Sequence, residues 1–344
     1  MNMKILSLAV LGILFLFTSS KQAVAGKSNL TGYTEGAKIM KTQITRPQID
    51  AMDGIIYSQI FRTTGICQLQ MSLLIPRTQD LKPAIVFFPG GGFTASDHGK
   101  YCELRMALAE AGFVVASAEY RTVPYKFPAL VQDGKSAVRY LREHAADLGI
   151  DTKRIGALGN SAGGYVAQML GTTNGDKTFD KGQFLDKSSD VQAVGTLFGI
   201  SNLMTIGEGF SEKSQKVHAS PAVTEALLVH GTAFGSFAGA SILSDPQKAL
   251  AASPMGHVQG KKPPFLIMHG NADTRVSPKQ SEQLYRALED GGNQADYIVL
   301  EGAQHGTQIW FQKPVTDTVV DWFRKNLGSP MKGHTKPADA GANL

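Results

Sequence analysis

Short, continuously apolar runs alternate along the chain with longer stretches whose apolar positions recur at helical spacing. The runs Ile55–Ile60, Ile66–Ile75, Ala84–Phe88, Phe113–Ala118, Arg154–Leu158, Ala193–Phe198, Phe265–Met268 and Tyr297–Leu300 read as strands. Three of them, "AIVFF", "FVVASA" and "FLIM", contain no polar alternation, as strands covered on both faces of a sheet require. Amphipathic segments at Tyr101–Ala111, Leu130–Leu148, Ala162–Leu170, Pro278–Asp290 and Val315–Asn326 read as helices between them. Ser277 and Pro278 mark one helix start, and Gly291 marks its end. Strand and helix in repeated alternation predict an α/β fold: a mostly parallel, eight-stranded sheet flanked by helices.

Two segments interrupt the alternation. Residues 171–190 are polar and loop-like. Residues 203–250 contain "ASPAVTEALLVHGTAFGSFAGASILSDP", which has helical character but falls between two strands, and are expected to form a small cap insertion. Residues 51–327 are therefore the expected catalytic domain, preceded by a polar arm over 26–50 and followed by a disordered tail over 328–344. The first 25 residues belong to none of these. Lys4, the apolar run "ILSLAVLGILFLF" and the small residues "AVAG" at 23–26 form the three parts of a secretory signal peptide. The apolar run is short for a membrane span, and the small-residue site predicts cleavage after Ala25. The expectation is export to a periplasm or to the medium, with no stable membrane span after processing.

Composition narrows the function classes. A hydrophobic fraction of 42% with 18% charged residues suits a globular domain. Loss of Lys4 and Lys21 with the signal peptide lowers the formal charge from +5 to +3. The basic residues are scattered rather than striped with aromatics, so nothing points to nucleic acid. Cys67 and Cys102 are the two cysteines, too few for a disulfide framework or a four-cysteine zinc site. The sequence leaves open whether they are bridged or free.

Chemistry is expected where loops leave the carboxyl ends of parallel strands. Four such loops carry polar or glycine-rich motifs. "PGGGF" (89–93) follows "AIVFF", and three consecutive glycines carry an entropic cost that close backbone approach to a ligand oxygen would justify. "GNSAG" (159–163) sets Ser161 at a strand-to-helix corner in the G-x-S-x-G pattern of a nucleophile elbow. "HGNADTRVSP" (269–278) offers Asp273, a residue type that also serves as a turn former. "EGAQHGTQ" (301–308) offers His305. Of eight histidines, His305 and His269 are the two just beyond a strand's carboxyl end.

The order of glycine loop, serine, aspartate and histidine, each after a different strand, is that of the α/β-hydrolases. From about Lys82 to Leu327 the chain resembles their esterase/lipase family, nearest the acetyl-xylan and feruloyl esterase-like branch and the hormone-sensitive-lipase-like branch. The resemblance is carried by "FFPGGGF", "AEYRTVPYKFPALVQDGKSAVRYLREHAADLGIDTKRIGALGNSAGG", "PPFLIMHGNADTRVSP" and "GAQHG". Two departures stand out: Pro89 replaces the usual histidine before the glycines, and Asn160 stands where Asp or Glu often precedes the serine.

The resemblance implies a serine carboxylester hydrolase with Ser161 as nucleophile, His305 as base and Asp273 as its orienting carboxylate. It implies an oxyanion hole formed by the N–H groups of Gly91, Gly92 and Ala162, and no metal or organic cofactor. Phe93, Tyr120, Tyr165, Phe198 and Trp310 fall near predicted strand ends, where they would either line an acyl or sugar pocket or pack as core. The expected substrates are short-chain or polysaccharide-linked acyl esters. A peptidase or an acyltransferase of this fold, or a non-catalytic binding protein, are the alternatives. Peptidases usually add a large domain and binding proteins usually lose a triad member, whereas an acyltransferase would share every one of these residues.

Overall fold

The computed structural model describes residues 35–330; the signal-peptide segment and most of the tail lie outside the described residues. Described residues 35–45 belong to a separate small unit, with a turn at Glu35–Gly36 and no helix or strand among them. From Arg46 onward the chain builds a second compact unit.

That unit begins with the strands β1 (Ile49–Arg62), β2 (Gly65–Pro76) and β3 (Lys82–Phe88), followed by helix α1 (Cys102–Glu110) and strand β4 (Val114–Ala118). Helices α2 (Ala129–Glu143) and α3 (Ala145–Leu148) lead into strand β5 (Ile150–Asn160), helix α4 (Ala162–Thr172) and strand β6 (Ala193–Leu197). Three short helices, α5 (Glu212–His218), α6 (Thr224–His230) and α7 (Pro246–Ala251), occupy the 203–250 segment and its end. Strand β7 (Phe265–Gly270), helix α8 (Lys279–Asp290), strand β8 (Ala295–Leu300) and helix α9 (Lys313–Leu327) complete the unit.

The eight strands form one sheet in the order β1-β2-β4-β3-β5-β6-β7-β8. β1 and β2 pair antiparallel, as do β2 and β4, and every pair from β4 to β8 is parallel. Alternate residues of the central strands feed two cores. Val86, Phe88, Ala157 and Ile267 face α2, α4 and α8, while Phe87, Leu158 and Met268 face α1 and α9. Burial on both faces is why these strands read as unbroken apolar runs.

β5 starts at Ile150 rather than Arg154, and two larger departures from the expected boundaries have visible causes. β1 starts at Ile49, inside the segment read as an arm, because register shifts between Met52 and Ile55 and between Ile56 and Ser58 break its alternation. The helix expected over Leu130–Leu148 divides at His144, whose ring stacks on Tyr140 at 4.3 Å and meets Phe184 edge-on at 5.8 Å. Among the described residues no helix is long and apolar enough to cross a membrane.

Candidate active site

The site grows from the junction of β5 and α4. Ser161 has φ 53° and ψ −124°, a strained backbone for a residue with a side chain. Two hydrogen bonds hold it there: its N–H donates to the Leu197 carbonyl at 2.9 Å, and its carbonyl accepts from Tyr165 N–H at 3.0 Å. The flanking glycines are required by contact. A Cβ on Gly159 would lie 2.2 Å from the Gly163 carbonyl oxygen, and one on Gly163 would lie 2.0 Å from that of Phe88. Small residues thus let β5, α4 and the end of β3 converge. Gly163→Ala drives a methyl group into backbone and is expected to destabilise the protein by more than about 3 kcal/mol, read from urea unfolding.

The convergence also fixes the glycine loop. Gly90 N–H donates to the Asn160 side-chain carbonyl at 3.0 Å, so the residue before the serine ties the loop to the elbow. The Tyr120 hydroxyl donates to the Pro89 carbonyl at 2.6 Å. Beyond Gly90 the chain turns, with the Gly91 carbonyl accepting from Thr94 and Ala95 N–H at 3.0 and 3.1 Å. Among the described residues nothing accepts from the N–H of Gly91 or Gly92. Ala162 N–H opens α4 and has no acceptor within the helix. Ala162 follows Ser161 directly, and the glycine loop approaches it at Gly90, where an added Cβ would lie 3.0 Å from the Ser161 Cβ.

Asp273 and His305 complete the cluster. Ser161 Oγ lies 2.8 Å from His305 Nε2, and His305 Nδ1 lies 2.7 Å from Asp273 Oδ2. The loop after β7 delivers Asp273, which is 4% exposed and accepts the N–H groups of Arg275 and Val276 on Oδ1 at 2.8 and 3.1 Å. Burial alone would raise its pKa. Hydrogen bonds from His269 and His305, together with the attraction of His305, outweigh that and hold the carboxyl well below the usual range. The His305 ring stands edge-on to Phe198 at 4.7 Å, and Phe198 packs on Trp310 at 4.5 Å. Trp310 Nε1 donates to the Gln304 carbonyl at 2.8 Å, pinning the histidine loop from beneath.

The five aromatics picked out in the sequence are all buried. Phe93 meets Tyr165 edge-on at 5.3 Å in the core, whereas Phe198 packs against His305 and Trp310 against Phe198. Sequence reasoning missed two contacts: the tie from Asn160 to Gly90 and the approach of His269 to Asp273, with Nε2 3.3 Å from Oδ2. In the second, His269 near the end of β7 meets an aspartate four residues on, in the loop that follows. Cys67 and Cys102 are both free thiols. Among the described residues, no group of three or more His, Cys, Asp or Glu side chains is placed to hold a metal ion.

The sequence profile of the BD-FAE family matches residues 71–288, from β2 through most of α8. The chain belongs to the BD-FAE family. That membership makes it an α/β-hydrolase of a family of carboxylic ester hydrolases. The match covers the glycine loop, Ser161 and Asp273 and ends before His305.

Among curated proteins, this BD-FAE chain is 29% identical to Esterase LipQ of Mycobacterium tuberculosis over 232 residues, covering 66% of the chain and 51% of LipQ. It thus spans about half the length of the curated relatives it matches. Among solved structures, a truncated carbohydrate esterase from gut microbiota superposes with a TM-score of 0.68 at 25% identity, covering 80% of this chain and 96% of the other. A bifunctional GH43-CE protein of Bacteroides eggerthii gives a TM-score of 0.67 at 27% identity over 81% of this chain and 38% of the other.

Proposed function

We propose that the protein is an exported serine carboxylesterase that removes short acyl groups, with carbohydrate-linked esters as its natural substrates. The observation that carries this reading is the unbroken hydrogen-bond chain from Ser161 through His305 to Asp273, near backbone donors with no acceptor among the described residues.

In the proposed reaction the Ser161 hydroxyl passes its proton to His305 Nε2 as Oγ attacks the ester carbonyl. Negative charge moves to the carbonyl oxygen, where the N–H groups of Gly91, Gly92 and Ala162 receive it. Collapse of the tetrahedral adduct breaks the bond to the alkoxy oxygen, and His305 returns the proton to the departing alcohol. Water then repeats the sequence on the acyl-enzyme, giving its proton to Nε2, and releases the acid and free Ser161. Asp273 stays ionised throughout and stabilises the imidazolium.

Three features support the substrate class. Phe93 ends the glycine loop and Tyr165 donates its N–H to the Ser161 carbonyl; their rings pack edge-on in the core, so the interior behind Ser161 leaves little room for a long acyl chain. A carbohydrate esterase of gut microbiota shares the fold along nearly its whole length. The signal peptide read from residues 1–25 directs the enzyme to where polysaccharide esters are met.

The test is hydrolysis of p-nitrophenyl acetate, butyrate and octanoate beside acetylated xylan. Release of acetate from xylan, with acetate favoured over octanoate, is the expected result. Activity on none of the four would overturn the esterase reading. Activity on the nitrophenyl esters alone would overturn the carbohydrate assignment.

A further inference from the structure

His269 ends the apolar part of β7 with its side chain wholly buried, and no step of the proposed reaction uses it. Its ring nitrogens have defined neighbours. Nδ1 lies 2.7 Å from the Ser281 hydroxyl on α8. Nε2 lies 3.0 Å from the Val276 carbonyl oxygen and 3.3 Å from Asp273 Oδ2. A carbonyl oxygen has no proton to give, and neither has an ionised carboxylate. A lone pair on Nε2 would be repelled by both, so Nε2 carries the hydrogen and shares it between them. The Ser281 hydroxyl can donate to Nδ1, and one neutral imidazole then satisfies every group around it.

Asp273 Oδ2 therefore faces two imidazoles, His305 at 2.7 Å and His269 at 3.3 Å, while Oδ1 takes two backbone N–H groups. We infer that His269 is a positioning residue of the active site, donating Nε2–H to the same carboxylate oxygen that orients His305. The inference rests on the proposed triad. His269 does two things there. It helps fix the carboxylate's rotamer through the oxygen that His305 also uses, and it draws off part of the charge with which Asp273 stabilises the His305 imidazolium.

Other ionic groups near the pair are few. Lys279 and Glu282 line a cavity beside Asp273 and pair with each other at 2.7 Å. Arg275 contributes its backbone N–H to Asp273 while its side chain is exposed, and Glu301 is exposed at the start of the histidine loop. The face of His305 toward Phe198 is apolar.

Two measurements test the inference. In the intact protein, nitrogen-15 NMR is expected to show His269 neutral, with Nε2 protonated and Nδ1 bare. The reverse tautomer would overturn it whether or not Ser161 proves to be the nucleophile. In kinetics, His269→Phe keeps the ring volume and loses the donor, whereas His269→Gln restores an N–H near the Nε2 position. With p-nitrophenyl acetate, the Phe variant should lose roughly tenfold or more in kcat with little change in KM, far less than the ~10⁴-fold that follows an altered triad carboxylate. The acid limb of its kcat/KM profile should move up by about half a pH unit or more, because the less shared carboxylate makes His305 more basic. His269→Gln should reverse most of both changes. A folded Phe variant with unchanged kcat, an unmoved acid limb, or a Gln variant no better than Phe would each overturn the inference. Should the Phe variant fail to fold, the NMR tautomer decides. Failure of the triad reading would appear separately, as full activity in Ser161→Ala.

Discussion

Ser161→Ala should lower kcat for p-nitrophenyl acetate by about 10⁴-fold or more and approach the ~10⁶-fold loss seen when a triad nucleophile is removed. The expectation follows from position as well as chemistry. Ser161 is held in a strained backbone, at hydrogen-bond distance from His305, and beside the free donors of Gly91 and Gly92. No other hydroxyl is hydrogen-bonded to His305 among the described residues. Removing Oγ leaves the donors and His305 in place, so substrate still binds and KM should change little. The fold should also survive, because the Oγ–His305 contact is the Ser161 side chain's hydrogen bond and the elbow is secured by backbone groups. Comparing initial rates with a thermal melt separates the two effects. A variant retaining most of its activity at unchanged melting temperature would remove Ser161 from the mechanism.

Asp273→Asn is expected to cost about 10⁴-fold in kcat, through the tautomer of His305 rather than through misfolding. The asparagine carbonyl can still accept Arg275 and Val276 N–H, the two backbone bonds that shape the loop. Its amide group then faces His305 Nδ1 and His269 Nε2, both donors in the wild type. Donor opposes donor, and His305 escapes by moving its proton to Nε2, where it can no longer accept from Ser161. Stability should reveal the lost charge as well. The Asp273 carboxyl is held below its ordinary range in the folded protein, so it contributes stability that is present above the unfolded value of about 3.9 and fades as pH falls toward the folded value. Urea unfolding should therefore show wild type more stable than Asp273→Asn near pH 7, with the gap narrowing below about pH 4. A gap that stays constant with pH would show that the carboxylate's charge adds nothing to the folded state.

Much of this architecture is legible before any coordinates are considered, for identifiable reasons. β3, β4 and β7 are covered on both faces, so local sequence and tertiary burial demand the same residues and the strands stand out. Ser161 and Asp273 are legible because each follows a strand end buried on both faces; His305 follows the half-buried edge strand β8 and is legible from its place after the last apolar run. What escapes notice depends on contacts between distant segments. The break at His144 is made by Phe184, forty residues downstream in a loop without periodicity. β1 hides its first half because its register shifts spoil the alternation that a reader relies on. The partnership of His269 with Asp273 requires the loop to curl back on its own strand, which residue spacing alone does not specify.

The tie between Gly90 and Asn160 gives the uncommon asparagine before Ser161 an electrostatic meaning under the proposed mechanism. Holding that N–H needs only one acceptor oxygen, and an aspartate or glutamate there would supply it along with a full negative charge. In ester hydrolysis negative charge accumulates on an oxygen cradled by the neighbouring amides, and an anion anchored in the same buried corner would repel it. An amide side chain secures the loop while leaving the corner neutral, so the bracing of the catalytic groups does not work against the charge they exist to receive.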